Sequence, residues 1–218
     1  MAANMLAAYY SKGCASKELF EGLKIAKEQD YDEHLNKYNV IHMNMIDFLS
    51  RADSMDDLID YLQRRLLWDI KKEYSDVDCF DWNDLVDVLE TVYSEKKQPF
   101  IIIIDEWDCI FRKYPDNIEE QKKYLDFLRF FIKGKSYVAL AYMTGILPIK
   151  KYGEHSALNM FDEYSMTNQR ELAEFTGFSI SFISDLERGK KTAEIGKALQ
   201  LIQLLGMDIK IEKRGSDE

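Results

Sequence analysis

The sequence predicts an α/β fold, in which an incomplete parallel sheet with flanking helices is followed by a small all-α domain. Apolar, β-branched segments alternate with long amphipathic segments as far as Thr167, which is typical of parallel strands joined by helices. After Thr167 the pattern changes to short helices, and an alternating strand runs from Met207 to Glu212. We therefore expect one domain over residues 1–167 and a second over residues 168–215.

Composition and charge narrow the class of protein. The 218 residues are 46% hydrophobic and 31% charged, an ordinary balance for a soluble globular protein. The longest apolar run, residues 99–104, is too short to span a bilayer, and no secretory signal pattern is visible. Three scattered cysteines indicate free thiols, so we expect a cytoplasmic protein with no membrane partner. The net charge of −10 argues against nonspecific coating of nucleic acid, and residues 1–168 carry −9 of it.

Each element can be assigned from its local pattern. Helical patterns cover residues 1–10, 17–22, 54–74, 81–96 and 118–133, and strand patterns cover residues 40–46, 99–104 and 136–143. Ser54 and Asp81 are the predicted N-caps of two of these helices, because a side-chain oxygen there can accept from the first free backbone amides. The isoleucine-rich strand at 99–104 indicates burial on both faces of the sheet.

A buried strand that ends in two carboxylates is the first candidate site. The strand from Phe100 to Ile104 leads directly into Asp105 and Glu106. Ligands of α/β proteins bind at the carboxyl ends of parallel strands, and this pattern has the shape of a Walker B motif. In such ATPases the Asp holds the Mg²⁺ shell and the Glu polarises the attacking water. A buried strand followed by a solvated acidic turn accounts for the motif equally well.

Several sequence blocks around this strand resemble the bacterial AAA-ATPase-like family. They follow the family's order over roughly residues 1–168, at positions 17–23, 101–108, 142–150, 156–161 and 163–167. The resemblance implies that Asp105 and Glu106 are the Walker B carboxylates. It also implies that Thr144, which follows the next strand, is a polar residue that senses the nucleotide.

The phosphate-binding loop of that family is missing. It needs G-x-x-x-x-G-K-[ST] between a strand and a helix, so that backbone N–H groups and a lysine hold the phosphates. Residues 1–6 resemble the helix after that loop, so we expect the chain to begin just past it. Residues 134–136 read GKS but precede a strand, and we predict a turn there. We therefore expect no ATP hydrolysis and no cofactor or metal, with Mg²⁺–ATP at Asp105 only if the loop comes from elsewhere.

The second candidate site lies in residues 169–189. Ala173 is small where two helices would cross, Gly177 stands at the turn, and Ser179 is a natural N-cap for the second helix. The apolar positions that would close the helix pair are Leu172, Ile183 and Leu186. The pattern predicts a helix-turn-helix, whose second helix meets base edges in the major groove of double-stranded DNA. An ordinary helical hairpin in a core is the alternative.

This stretch looks like the Xre/Cro-type helix-turn-helix family, and its continuation resembles the HipB-like antitoxin branch. The resemblance implies a homodimer through this domain and the strand from Met207 to Glu212, and a HipA-type toxin kinase as a partner. The residues that it assigns to DNA contact are Gln169, Ser179, Ile180, Ser181, Ser184, Arg188, Lys190 and Lys191.

The implied contacts discriminate poorly between DNA sequences. Gln169 would contact a phosphate, Ile180 could meet a thymine methyl, and the hydroxyls of Ser181 and Ser184 can serve several bases. The basic residues at 188, 190 and 191 would anchor the DNA backbone, or else form a solvated turn.

The family's usual basic helix before Gln169 is not visible. Either residues 157–164 take its place or the domain is truncated. Three interpretations stay open. The chain is a DNA-binding, antitoxin-like regulator fused to a degenerate ATPase-like domain, or a P-loop ATPase whose loop lies outside this chain, or a nonfunctional gene-fusion remnant.

Overall fold

The computed structural model describes residues 2–147, 158–162, 173, 176–187 and 194–204. The chain divides into two compact units, Met1–Phe161 and Asp162–Glu218. The described elements of the first unit are α1 (Ala2–Tyr10), α2 (Lys17–Phe20), a 3-10 helix (Lys24–Lys27), α3 (Tyr31–His34), β1 (Asn39–Asn44), α4 (Met45–Leu49), α5 (Met55–Glu73), α6 (Leu85–Lys96), β2 (Phe100–Asp105), α7 (Cys109–Lys113), α8 (Ile118–Ile132) and β3 (Val138–Met143).

The three strands form a parallel sheet in the order β1-β2-β3. Ile102 of β2 pairs with Ile41 of β1 on one side and with Ala141 of β3 on the other. Every residue of β2 except the last is buried, as expected for a strand covered on both faces. β3 is less protected, since Leu140 is 39% exposed and no described strand pairs with its outer side. The predicted fold class, a parallel α/β sheet with flanking helices, is confirmed.

Different helices cover the two faces of the sheet. Ile102 and Ile104 pack into the main core with buried residues of α5, α6 and α8. Ile101 and Ile103 contribute to the opposite face, where the fully buried Ala3 of α1 packs against them. Because successive side chains of a strand alternate between faces, the isoleucine run of β2 contributes to both cores.

Two predicted boundaries are wrong, each because a polar side chain caps a helix. The strand predicted over 40–46 ends at Asn44, whose Oδ1 accepts from the backbone N–H of Ile46 at 3.0 Å and starts α4. The helix predicted from Asp81 begins at Leu85. Asp84 is its N-cap and accepts from the backbone N–H groups of residues 86 and 87 at 2.9 and 3.1 Å.

Two other local predictions are confirmed. Ser54 caps α5, since its Oγ accepts from the backbone N–H of Asp57 at 3.2 Å. The GKS sequence is a turn before β3, in which Gly134 has a φ of +69°. The ammonium group of Lys135 pairs with Glu90 at 3.0 Å. This lysine therefore holds a carboxylate at the amino end of the sheet.

Asn36 ties the end of α1 to the segment that enters β1. Its Nδ2 donates to the carbonyl oxygens of Ala8 and Ser11, both at 3.0 Å, and to Oγ of Ser16 at 2.9 Å. Its backbone N–H donates to the carbonyl of Tyr9 at 2.7 Å, and its φ is +56°. These bonds satisfy carbonyl groups that the end of a helix leaves without intrahelical donors.

The second unit contains, among the described residues, α9 (Ile180–Glu187) and α10 (Ile195–Leu204). The strand predicted from Met207 to Glu212 lies outside the described residues. Residues 158–161 form a turn of the first unit, with Leu158 buried in the main core, so this part of residues 157–164 is not a helix. No described helix is long and apolar enough to cross a membrane.

Candidate functional site

The carboxyl end of β2 brings Asp105 and Thr144 together. Thr144 directly follows β3, and its Oγ1 donates a hydrogen bond to Oδ1 of Asp105. The backbone fixes this pair, because the N–H of Thr144 donates to the carbonyl of Ile104 at 2.9 Å. The carbonyl of Thr144 in turn accepts from the N–H of Trp107 at 3.0 Å. These two residues therefore lie side by side at the sheet edge where α/β proteins bind ligands.

Glu106 pairs with Arg112, which the sequence analysis did not identify as a site residue. Its φ is +56°, uncommon for a residue other than glycine, and its Oε2 accepts from Nη2 of Arg112 at 2.5 Å. This hydrogen bond is the largest cause that raises the pKa of Arg112 above its usual value. Nε of Arg112 also lies 3.7 Å from Oδ2 of Asp108, one helical turn earlier. That four-residue spacing is the sequence signal for an Asp–Arg pair on one helix face.

A buried carboxylate fixes the loop after β3. Asp108 has no exposed surface, and its Oδ2 accepts from the backbone N–H groups of Ile146 and Leu147 at 3.1 and 3.0 Å. A Cβ added at Gly145 would lie 2.5 Å from Oδ1 of Asp108 and 2.7 Å from two ring atoms of Trp107. The loop therefore needs glycine at this position. We refer to Asp108 with residues 144–147 as the Asp108 clasp.

Both carboxylates at the end of β2 contact protein side chains. Oδ1 of Asp105 already accepts from Thr144, and Glu106 is paired with Arg112. No three His, Cys, Asp or Glu side chains of the described residues are grouped to hold a metal ion. Asp105 and Asp108 both make hydrogen bonds to the loop after β3.

The buried thiol beside this site is not an activated nucleophile. Cys109 is 4% exposed, and burial is the main cause that raises the pKa of its thiol to about 12. Because the thiolate is the nucleophilic form, this side chain is unreactive at neutral pH. Cys79 is also buried, whereas Cys14 is exposed.

A left-handed glycine stands between the helical residues 173 and 176 and helix α9 of the second unit. Gly177 has a φ of +74°, and its N–H donates to the carbonyl of Ala173 at 2.9 Å, a bond typical of a helix C-terminus. An added Cβ would meet no atom within 4 Å. The backbone conformation, rather than crowding, therefore favours glycine in this turn.

Ser179 caps α9, and the apolar side of this helix packs on α10. Oγ of Ser179 accepts from the backbone N–H of Phe182 at 3.2 Å, as an N-cap does. Ile183 of α9 and Leu201 of α10 are buried together, and Ala173 and other apolar side chains pack around them. The cap and this core fix where α9 begins and which side of it contacts α10.

The structure describes four of the eight residues that the sequence assigns to DNA contact. Ser179, Ile180 and Ser181 are exposed at the N-terminal end of α9, with Ile180 at 46% exposure. Ser184 is half-buried, and α9 contains two acidic residues and no lysine or arginine. The assigned residues outside the described part of the chain are Gln169, Arg188, Lys190 and Lys191.

Comparison with known proteins separates the two parts of the chain. Residues 1–153 match the AAA-ATPase-like family, described as "Predicted AAA-ATPase", and residues 165–211 match the family described as "Helix-turn-helix". A protein of Sinorhizobium fredii (strain NBRC 101917 / NGR234), the "Uncharacterized HTH-type transcriptional regulator y4mF", is 56% identical over 43 residues. This match covers 20% of the chain and 57% of that relative, and no solved structure matches the chain significantly. The chain therefore belongs to the predicted AAA-ATPase family and carries a helix-turn-helix region in its C-terminal part.

Proposed function

We propose that this chain is a DNA-binding transcriptional regulator in which α9 is the recognition helix. One observation carries the proposal: α9 is capped by Ser179 and anchored on α10, and its N-terminal residues stay exposed. Helices of this motif place such N-terminal residues in the major groove. The relative described as an HTH-type transcriptional regulator, and the match of residues 165–211, support the same role.

Base recognition in this proposal comes from the first turn of α9. Oγ of Ser179 lies 3.1 Å from Oγ of Ser181, and both hydroxyls can donate to or accept from base edges. The exposed methyl groups of Ile180 suit a thymine methyl. Ser184 contributes less than the sequence implied, because its side chain is half-buried.

Phosphate contacts supply the affinity in this proposal, since α9 has no cation of its own. They come from Gln169, Arg188, Lys190 and Lys191, which flank α9 in the sequence. Each chain supplies three cations, so a dimer supplies six. Counterion release then predicts that the logarithm of the binding constant falls with the logarithm of the salt concentration with a slope of about −5. Binding is therefore expected to weaken about 10³-fold between about 50 and 200 mM salt.

The regulator acts as a homodimer of the antitoxin-like kind, with residues 207–212 pairing between copies. It binds a palindromic site whose half-sites lie about one helical turn, roughly 34 Å, apart. A HipA-type kinase is the partner that the antitoxin-like sequence pattern suggests.

A gel-shift selection with genomic fragments tests the proposal. The full chain is expected to retain one class of palindromic fragment, and Ile180→Ala with Ser181→Ala is expected to abolish the preference. Ser94→Ala, an exposed serine on α6, is the matched control and is expected to change nothing. Retention of no preferred fragment by the unaltered chain would refute the proposal.

Nucleotide binding is the second candidate function, favoured by the family match and by the Asp105–Thr144 pair. It requires a phosphate loop from outside this sequence, supplied by another chain or by residues upstream, and opening of the Glu106–Arg112 pair. Equilibrium dialysis with Mg²⁺–ATP tests it, because binding that Asp105→Asn abolishes would establish this function. The third interpretation, a nonfunctional remnant, predicts a molten or aggregated product and is contradicted by a cooperative unfolding transition.

A further inference from the structure

Arg112 lies between two carboxylates that differ in their exposure to solvent. Its Nη2 donates to Oε2 of Glu106 at 2.5 Å, while its Nε lies 3.7 Å from Oδ2 of Asp108, beyond hydrogen-bond distance. The side chain of Glu106 is 33% exposed, whereas that of Asp108 has no exposed surface. The guanidinium group therefore makes its closer contact with the carboxylate that water also reaches, and its longer contact with the buried one.

The buried carboxylate of Asp108 can accept a further hydrogen bond. Its Oδ2 accepts from the backbone N–H groups of Ile146 and Leu147, but its Oδ1 is buried and has no hydrogen-bond partner among the described residues. A buried charge is costly unless its oxygens are hydrogen-bonded and an opposite charge lies close. Asp108 therefore gains more from a closer guanidinium group than Glu106 does, because solvent screens an exposed ion pair.

Arg112 can close on Asp108 without a change in the fold of α7. The two residues are one helical turn apart, the spacing at which side chains meet on one face of a helix. The contact between them has to shorten from 3.7 Å to about 2.8 Å, the length of a charge-assisted hydrogen bond. The hydrogen bond to Glu106 keeps the guanidinium group in its present position.

We propose that Arg112 is a switch residue that couples Glu106 to the Asp108 clasp. While Glu106 is charged and binds no ligand, it retains Arg112, and Asp108 keeps only its backbone donors. A cationic ligand group that neutralises Glu106 releases Arg112, which then pairs with Asp108 and stabilises the closed loop. Because that loop begins at Thr144, the partner of Asp105, a ligand at this edge of the sheet tightens the loop beside it. The identity of the ligand rests on the second candidate function, whereas the coupling is a property of the chain alone.

Amide hydrogen exchange of the full chain, without nucleotide or DNA, tests the coupling. The N–H groups of Ile146 and Leu147 exchange when the clasp opens, and the amides of β2 report opening of the whole first unit. Glu106→Gln removes the charge but keeps the shape of the side chain. It is expected to slow exchange at residues 146 and 147 about tenfold, the effect of one charge-assisted hydrogen bond. Arg112→Gln is expected to speed this exchange about threefold, because the present contact is long.

The variant with both substitutions separates the switch from a local structural effect. Without Arg112, neutralising Glu106 releases nothing, so the double variant is expected to exchange at the rate of Arg112→Gln alone. An effect of Glu106→Gln that acts through the backbone would be equal with and without Arg112. Asp126→Asn is the matched control, since Asp126 pairs with Arg129 at 3.3 Å on α8. It is expected to leave the two loop amides unchanged.

Four results would each overturn the proposal. They are unchanged or faster exchange in Glu106→Gln, slower exchange in Arg112→Gln, undiminished slowing by Glu106→Gln in the double variant, and equal slowing in the amides of β2. Because the samples contain no nucleotide or DNA, failure of nucleotide binding or of DNA recognition leaves this test unaffected. A failed coupling, in turn, contradicts neither of those functions.

Discussion

Replacing Gly145 with alanine introduces one methyl group into the Asp108 clasp. Its carbon would lie 2.5 Å from Oδ1 of Asp108 and 2.7 Å from two atoms of the Trp107 ring. Neither neighbour has open space to move into, because Asp108 is fully buried and Trp107 is 2% exposed. The loop must therefore move away from Asp108, or the core around Trp107 must repack.

Both routes cost free energy of unfolding. Movement of the loop breaks the two hydrogen bonds from residues 146 and 147 to the Asp108 carboxylate, each worth about 1.5–3 kcal/mol. Repacking around an added methyl group costs about 1–3 kcal/mol. Repacking is the cheaper route and sets the result, so we expect Gly145→Ala to lower the free energy of unfolding by about 1–3 kcal/mol.

Denaturant unfolding followed by tryptophan fluorescence measures this change. Gly22→Ala is the control, because a Cβ there would meet no atom within 4 Å and its φ is not in the left-handed region. The control is expected to be neutral or stabilising by up to about 1 kcal/mol. If the Gly145→Ala chain unfolds at the same denaturant concentration as the control, the steric and hydrogen-bond reasoning for the clasp is wrong.

Three further predictions concern stability and thiol reactivity. Asn36→Gly removes the side-chain bonds at the end of α1 and is expected to cost about 2 kcal/mol, whereas Asn36→Ala costs about 1 kcal/mol more because of its positive φ. Denaturant melts that rank the two variants the other way would contradict this. Ser179→Ala removes the cap of α9 and is expected to destabilise it by about 1 kcal/mol, measured by hydrogen exchange of its amides. A maleimide at neutral pH is expected to label Cys14 rapidly and Cys109 and Cys79 only after unfolding, and rapid labelling of two thiols in the folded chain would refute this.

The order of strands and long helices was predictable because their buried positions are apolar and recur at the spacing of a strand or a helix. The isoleucines of β2 and the helical spacing of leucines in α5 are examples. The switch from β1 to α4 was not predictable in the same way, because Met45 and Ile46 are apolar and suit a strand. The backbone N–H of Ile46 donates to the side chain of Asn44, and this hydrogen bond starts α4. A hydropathy pattern carries no information about such a bond.

Only part of the candidate site was predictable from the sequence. Asp105 and Thr144 could be brought together from sequence, since neighbouring parallel strands end at one edge of a sheet. The ion pair between Arg112 and Glu106 was not predictable. It depends on the direction of the backbone after β2, which the positive φ of Glu106 sets. The role of Asn36 was not predictable either, because the hydrogen-bond acceptors of its Nδ2 lie 20 to 28 residues away in the sequence.

The two faces of the sheet are covered by different numbers of helices, and this has a practical consequence for handling the protein. α5, α6 and α8 divide one face among them, while the nine residues of α1 supply the described helical cover of the other. Loss of one helix from the first face uncovers part of it, but displacement of α1 exposes Ile101 and Ile103 together. A purification tag fused directly before Ala2 therefore acts on the sheet itself. A tag at the carboxyl terminus is fused to the other unit and leaves the amino end of α1 unaltered.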